Sequence, residues 1–256
     1  MRPKKRRASW RLLVVVAVLA PLSAMAENDD PILGETHEEK STQNTPFKLT
    51  SGIYRSTPSR THGYDANLRY QSIAGNVWGG VFHGPDSATA WRAGWDRVFD
   101  LGLPRITPSV QAAQGGFVGG SILLEVGEPW FVATGYGRTN LRPYVNLNFD
   151  PNDAWTFALG RRLPTGEVLA LQLIRDNRVQ PGDFHLHLFW RQPLAGKERV
   201  TVDLLFKQGS VEDERIRRVG LAVTYEWSSI ALRVVFDPKV NFTAENQVRV
   251  SVGWRF

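Results

Sequence analysis

His185 and His187 stand two residues apart in the segment Phe184–Trp190. In an extended strand that spacing puts both imidazoles on one face. Paired imidazoles can hold a divalent metal or move protons. A hairpin register drawn through the next turn puts Asp203 opposite His187, so the three side chains form a candidate metal set. The sequence offers no fourth ligand, and neither a metal nor any other cofactor is expected. His83, Asp86 and Ser87 (HGPDS) bring a base, an acid and a hydroxyl together, but Gly84-Pro85 reads first as turn chemistry. Gly79-Gly80 and Gly115–Gly120 lack the spacing of a phosphate-binding loop. Within strands such glycines mark bulges, bends or close packing. What remains is charge, recurring on alternate residues.

Alternating charge needs strands to position it. From Phe47 to Phe256 almost every segment reads as a strand bounded by Gly, Pro, Asn or Asp. Tyr64, Ala66, Leu68 and Tyr70 oppose Asp65, Asn67, Arg69 and Gln71. Trp91, Ala93 and Trp95 oppose Arg92, Gly94 and Asp96. Phe184, Leu186, Leu188 and Trp190 oppose His185, His187 and Arg191, with Phe189 the exception. Val200, Val202, Leu204 and Phe206 oppose Thr201, Asp203 and Lys207, with Leu205 out of pattern. A two-residue Ser228-Ser229 turn pairs Trp227 with Ile230, Tyr225 with Leu232, Val223 with Val234 and Leu221 with Phe236. Pairing Arg191 with Arg199 across Pro193–Lys197 sets Leu186 against Leu204 and Leu188 against Val202. Short links (Leu163–Gly166, Pro193–Lys197, Ser228–Ser229) alternate with longer ones (Asn177–Asp183, Gln208–Arg215, Asp237–Asn246).

In Gln247–Phe256, Val248, Val250, Val252, Trp254 and Phe256 share one face, and Arg249, Ser251, Gly253 and Arg255 the other. This strand resembles the closing strand of Gram-negative outer-membrane β-barrels. That resemblance implies that Trp254 and Phe256 belong to a signal read by the barrel-assembly machinery. It also raises lipid-directed catalysis, since outer-membrane phospholipases and lipid A deacylases carry His and Ser two residues apart on one strand. None of the five histidines here (His37, His62, His83, His185, His187) has Ser at that spacing. The expectation therefore leans away from an enzyme.

Arg2, Lys4, Lys5, Arg6, Arg7 and Arg11 precede an apolar run, Leu12–Leu22, and then Ala24-Met25-Ala26. That is the order of a cleaved secretory signal, giving residues 1–26 as signal peptide. The run is too short to span a bilayer as a helix. Without those six cations, 25 basic residues face 25 acidic ones, so the precursor's net charge of +6 is no sign of nucleic-acid binding. The absence of cysteine excludes disulfides and thiol chemistry. Residues 27–46, polar and acid-rich, read as a flexible periplasmic tail, with a lumen plug as the alternative.

Residues 47–256 are thus expected to form an all-β domain, an antiparallel up-and-down transmembrane β-barrel of about 14 strands, within 12 to 16, each near the ~9–11 residues a tilted span needs. A soluble periplasmic β-sandwich is the rival. A closed barrel this wide could not fill an apolar interior, and Trp130, Trp155, Trp190, Trp227 and Trp254 fall near strand ends, where interfacial girdles form. With the apolar face toward outer-membrane lipid, the expected pore lining is Asp65, Arg69, Arg92, Asp96, His185, His187, Asp203, Glu226, Arg233, Arg249 and Arg255. Apolar inward positions (Val168, Ala170, Ile174) argue for a narrow or locally packed interior. The leading function is a passive pore or export outlet for small polar solutes or a polymer chain. A lipid- or envelope-modifying enzyme and a structural or adhesive barrel are the alternatives.

Overall fold

The computed structural model describes residues 45–84, 89–142, 150, 152–211 and 214–256. The expected signal peptide and nearly all of the expected tail lie outside the described residues, as do Asp86 and Ser87.

Residue alternation dictates the architecture. Fifteen extended segments follow in order: β1 (Phe47–Thr57), β2 (His62–Ser72), β3 (Gly75–His83), β4 (Ala90–Asp96), β5 (Phe99–Asp100), β6 (Arg105–Ala113), β7 (Phe117–Val126), β8 (Trp130–Thr139), β9 (Ala154–Arg162), β10 (Val168–Asp176), β11 (Phe184–Pro193), β12 (Arg199–Val211), β13 (Glu214–Trp227), β14 (Ile230–Asp237) and β15 (Asn246–Arg255). The two-residue β5 only extends the edge of β6. The other fourteen pair antiparallel around a ring, which β4 closes against β6 and β1 against β15. Closure leaves no unpaired sheet edge in the wall.

The faces are inverted relative to a water-soluble barrel. Outward-pointing Ile53, Leu68, Ile122, Val132, Leu159, Leu171, Val234 and Val250 are exposed, whereas inward Lys48, Asn67, Arg69, Glu125, Arg162 and Arg249 are buried. Only hydrocarbon around the wall makes that arrangement favourable, because charge facing lipid at mid-depth costs roughly 2–4 kcal/mol per residue. Aromatic rings gather at both rims, as interfacial belts do. Phe47 lies 5.1 Å from Tyr70 and 5.6 Å from Phe256, and Trp254 lies 4.6 Å from Phe256. Tyr136 and Trp155, 4.6 Å apart, mark the opposite rim. Below, the near rim is the one bearing Phe47 and Phe256, and the far rim is the other.

The β13–β14 register agrees with expectation at every pair, Trp227 with Ile230 through Leu221 with Phe236. The β11–β12 register does not. Pro193, not Arg191, faces Arg199, so Leu188 meets Leu204 and Leu186 meets Phe206. The slip is two residues, which preserves which face is apolar. It moves Asp203 opposite Phe189, and Leu205 opposite His187. Phe189 and Leu205, out of pattern in the sequence, thus both point inward. The expected long link Gln208–Arg215 is also corrected: β12 and β13 continue pairing to Val211 and Glu214.

Candidate functional site

The inner face carries two kinds of lining. Leu123, Phe131, Ala133, Ala158, Val168, Ala170 and Phe189 form a buried apolar cluster across β7–β11. Across the barrel, Arg255, Lys48 and Arg69 occupy facing positions on β15, β1 and β2. Like charges placed directly opposite destabilise a sheet. Carboxylates at the margins offset this: Arg69 Nη2 donates to Asp96 Oδ1 at 3.2 Å, and Asn76 Nδ2 donates to Asp96 Oδ2 at 2.7 Å. Arg199 pairs with Glu226 on the neighbouring strand. Deeper in, the guanidinium of Arg249 lies 5.0 Å from the Tyr54 ring.

Toward the far rim described residues of two connections lie in the interior. The limb entering β9 places Asp150, Asn152 and Asp153 inside, all buried. Asp153 anchors it, accepting from Thr139 N (3.2 Å), Thr139 Oγ1 (2.7 Å), Arg138 Nη1 (3.3 Å) and Arg178 Nη1 (3.1 Å). The link between β14 and β15 turns inward at Val240 and Phe242, both buried. Phe242 sits on Gly209 so closely that a Cβ there would approach its ring to 2.5 Å; a side chain at Gly209 would push this link out.

Where the two connections meet, His185 and His187 project from β11. Asp150 Oδ1 lies 2.7 Å from His185 Nδ1 and 3.1 Å from His187 Nε2. Asp203 approaches the other nitrogen of His187, Nδ1, at 3.0 and 3.1 Å. The His187 ring stacks on Phe189 at 5.3 Å, and the His185 ring lies 5.6 Å from Phe242. Burial pushes the Asp150 carboxyl up, but the two imidazoles outweigh it and hold the group well below the usual carboxylate range. At Asp183, just before β11, burial and the nearby Asp176 outweigh the Ser210 N–H, raising the carboxyl to about 6. Directly opposite His185 on β12, Lys207, fully buried, pairs with Asp237.

The same overall fold also occurs in a solved structure. The outer-membrane protein Omp33 of Acinetobacter baumannii superposes with a TM-score of 0.56, over 83% of this chain and 98% of its own, at 11% identity. The fold is that of an outer-membrane β-barrel. The KdgM and NanC porins overlap more loosely, both with a TM-score of 0.47, at 10% and 7% identity. They match 82% and 81% of this chain and 99% and 100% of theirs. No protein-family profile matches the chain, and no curated protein sequence is similar to it.

Each residue expected in the lining sits on the inner side of this barrel. Asp65, Arg69, Asp96, His185, His187, Glu226 and Arg249 are buried, and Arg92, Asp203, Arg233 and Arg255 are half-buried. Trp254 and Phe256 are on the outer side of the near rim. Sequence reasoning missed Asp150, which a connection delivers from outside the strand pattern. It also missed Arg162, whose Nη1 and Nη2 donate to Glu125 at 2.9 and 2.8 Å across the intervening β8. Alternation along β7 and β9 carried that signal, since Glu125 and Arg162 share parity with inward neighbours.

Proposed function

We propose that the barrel is a narrow passive pore in the outer membrane of a Gram-negative bacterium, reached after signal cleavage near Ala26, and that it favours small anionic solutes. The observation that carries this reading is the row Arg255, Lys48 and Arg69, continued inward by Arg233 and Arg249. Cations concentrated in a cleft with low-dielectric walls raise the local anion concentration and lower the barrier to anion entry. The apolar cluster on the other side confines the wet path to this strip. Asp150 and Phe242 narrow it near the far rim. The residues of this strip expected in the lining, Arg69, Arg233, Arg249 and Arg255, would then meet the permeating solute.

The test is current through a planar bilayer under a potassium chloride gradient. The protein should give stepwise conductance with a reversal potential on the chloride side. Arg249→Glu or Arg233→Glu should move that potential toward the potassium side. A correctly folded preparation that passes no current removes the proposal, and unaltered selectivity in both variants removes the role of the strip.

A further inference from the structure

We propose that Asp150, His185 and His187 bind one divalent transition-metal ion of the zinc class, with Asp203 orienting His187. Their ligand atoms all lie within 4.8 Å of one another. Metal bonds of about 2.0–2.2 Å to N and O imply ligand–ligand edges of about 3.3 Å in a tetrahedral site. Asp150 Oδ1 already stands 2.7 and 3.1 Å from the two ring nitrogens, so small outward shifts would admit the ion. Imidazole donors select zinc, copper or nickel ions over magnesium and calcium, which prefer oxygen.

One feature points to a cation here beyond proximity. His187 lies between carboxylates, with Asp203 at Nδ1 and Asp150 at Nε2. A neutral imidazole carries one N–H and can satisfy only one of them. An ion at Nε2 balances both, while Asp203 accepts the Nδ1 proton, the carboxylate–imidazole–metal arrangement that fixes a ligand's tautomer and orientation. His185 is buried to 1% exposure and turns Nδ1, the nitrogen that would coordinate, toward Asp150. The ion would tie Asp150 to β11 and leave one coordination position open.

The site does not depend on the pore reading, because binding is measured without current. Full-length protein, purified from membranes in detergent without a polyhistidine tag and stripped with EDTA, is titrated with Co2+ and followed by visible absorption. One equivalent should saturate an intense low-coordinate band, Zn2+ should abolish it, and equimolar Mg2+ should not. Asp150→Asn and His187→Gln should each weaken Co2+ binding by more than the ~10–100-fold expected for Asp203→Asn, whose carboxylate acts through His187. His62→Gln and His83→Gln should change nothing. Failure of the unaltered protein to saturate at one equivalent overturns the proposal, as does Asp150→Asn binding like the unaltered protein. The latter would leave only an imidazolium held between carboxylates. Heat-dependent gel mobility checks the folding of each variant. Should the ligand variants misfold, Cu2+ spin resonance on the unaltered protein decides, with splitting from two nitrogens in support and its absence against.

Discussion

The arc β7–β11 and the arc running from β13 through β15 to β2 have the same outer face and opposite inner ones. Outside, both present Val, Leu, Ile and aromatic side chains. Inside, the first packs Phe131, Val168, Ala170 and Phe189 into an apolar cluster, and the second carries Arg233, Arg249, Lys48 and Arg69. Lipid sets the outer face of every strand alike, but it leaves the inner face free to differ. The first arc uses that freedom for packing, which stiffens the wall and shrinks the lumen. The second carries the cations of the proposed path. A single wall thus has an apolar half and a basic half, and on the proposed pore reading changes on the two should act on different observables.

The largest expected effect lies on the packed side. Arg162 and Glu125 are each about 5% exposed and share two hydrogen bonds, with the Arg162 guanidinium 3.9 Å from the Phe131 ring. Arg162→Met would leave Glu125 buried with only Arg105 Nη1 at 3.2 Å, and should cost about 3 kcal/mol. Chemical unfolding in detergent micelles reads that loss. Adding Glu125→Leu should recover much of it, because removing both charges costs less than stranding one. Gly160→Ala should come next, at about 1–3 kcal/mol, since a Cβ there would approach the Phe131 ring to 2.3 Å. Neither change should alter ion selectivity. A selectivity change as large as that of Arg249→Glu would erase the division between the arcs.

On the basic side the order reverses, with small stability effects and a clear electrical one. Lys48→Glu replaces the central cation of the row Arg255, Lys48 and Arg69. It exchanges like-charge opposition for attraction, so stability should hold or rise slightly by up to about 1 kcal/mol. The reversal potential should nonetheless shift toward cations. A destabilised barrel with unchanged selectivity would show that the row serves wall structure instead of passage.

Strand parity was legible because it needs only neighbours in sequence. Val248 through Phe256 alternate without exception, and the β13–β14 register followed from a two-residue turn. The β11–β12 register was not, because a five-residue link allows more than one closure and the like pair Arg191–Arg199 gave no counterweight. Parity survived that two-residue slip, so the faces were right where the partners were wrong. His187 and Asp203 illustrate this, being hydrogen-bonded at 3.0 Å as diagonal neighbours though not opposite. Phe189 and Leu205 broke the pattern because the lumen tolerates apolar side chains on its packed side, a freedom no local rule encodes. Asp150 could not be found at all. Its approach to β11 is set by Asp153 and the Thr139 backbone, contacts that exist only once the barrel has formed.

Another small change in folded stability belongs to the seam where the two arcs' shared outer face closes. Phe256 N donates to Phe47 O, and Phe47 N to Phe256 O, both at 3.0 Å. Phe256→Ala keeps these backbone bonds and removes only ring contacts with Phe47 and Trp254. Aromatic pairs contribute about 0.5–1.5 kcal/mol beyond their burial, so unfolding in micelles should shift by about 1 kcal/mol. Tyr70→Ala removes a ring from the same cluster and should shift stability comparably. If the assembly machinery reads Phe256, the two variants should part in cells. The Phe256 variant should leave far less folded barrel in the membrane fraction than the Tyr70 variant, although both are equally stable once folded. Equal yields would reduce Phe256 to one member of the aromatic belt, and the barrel's route into the membrane would have to be read elsewhere in the chain.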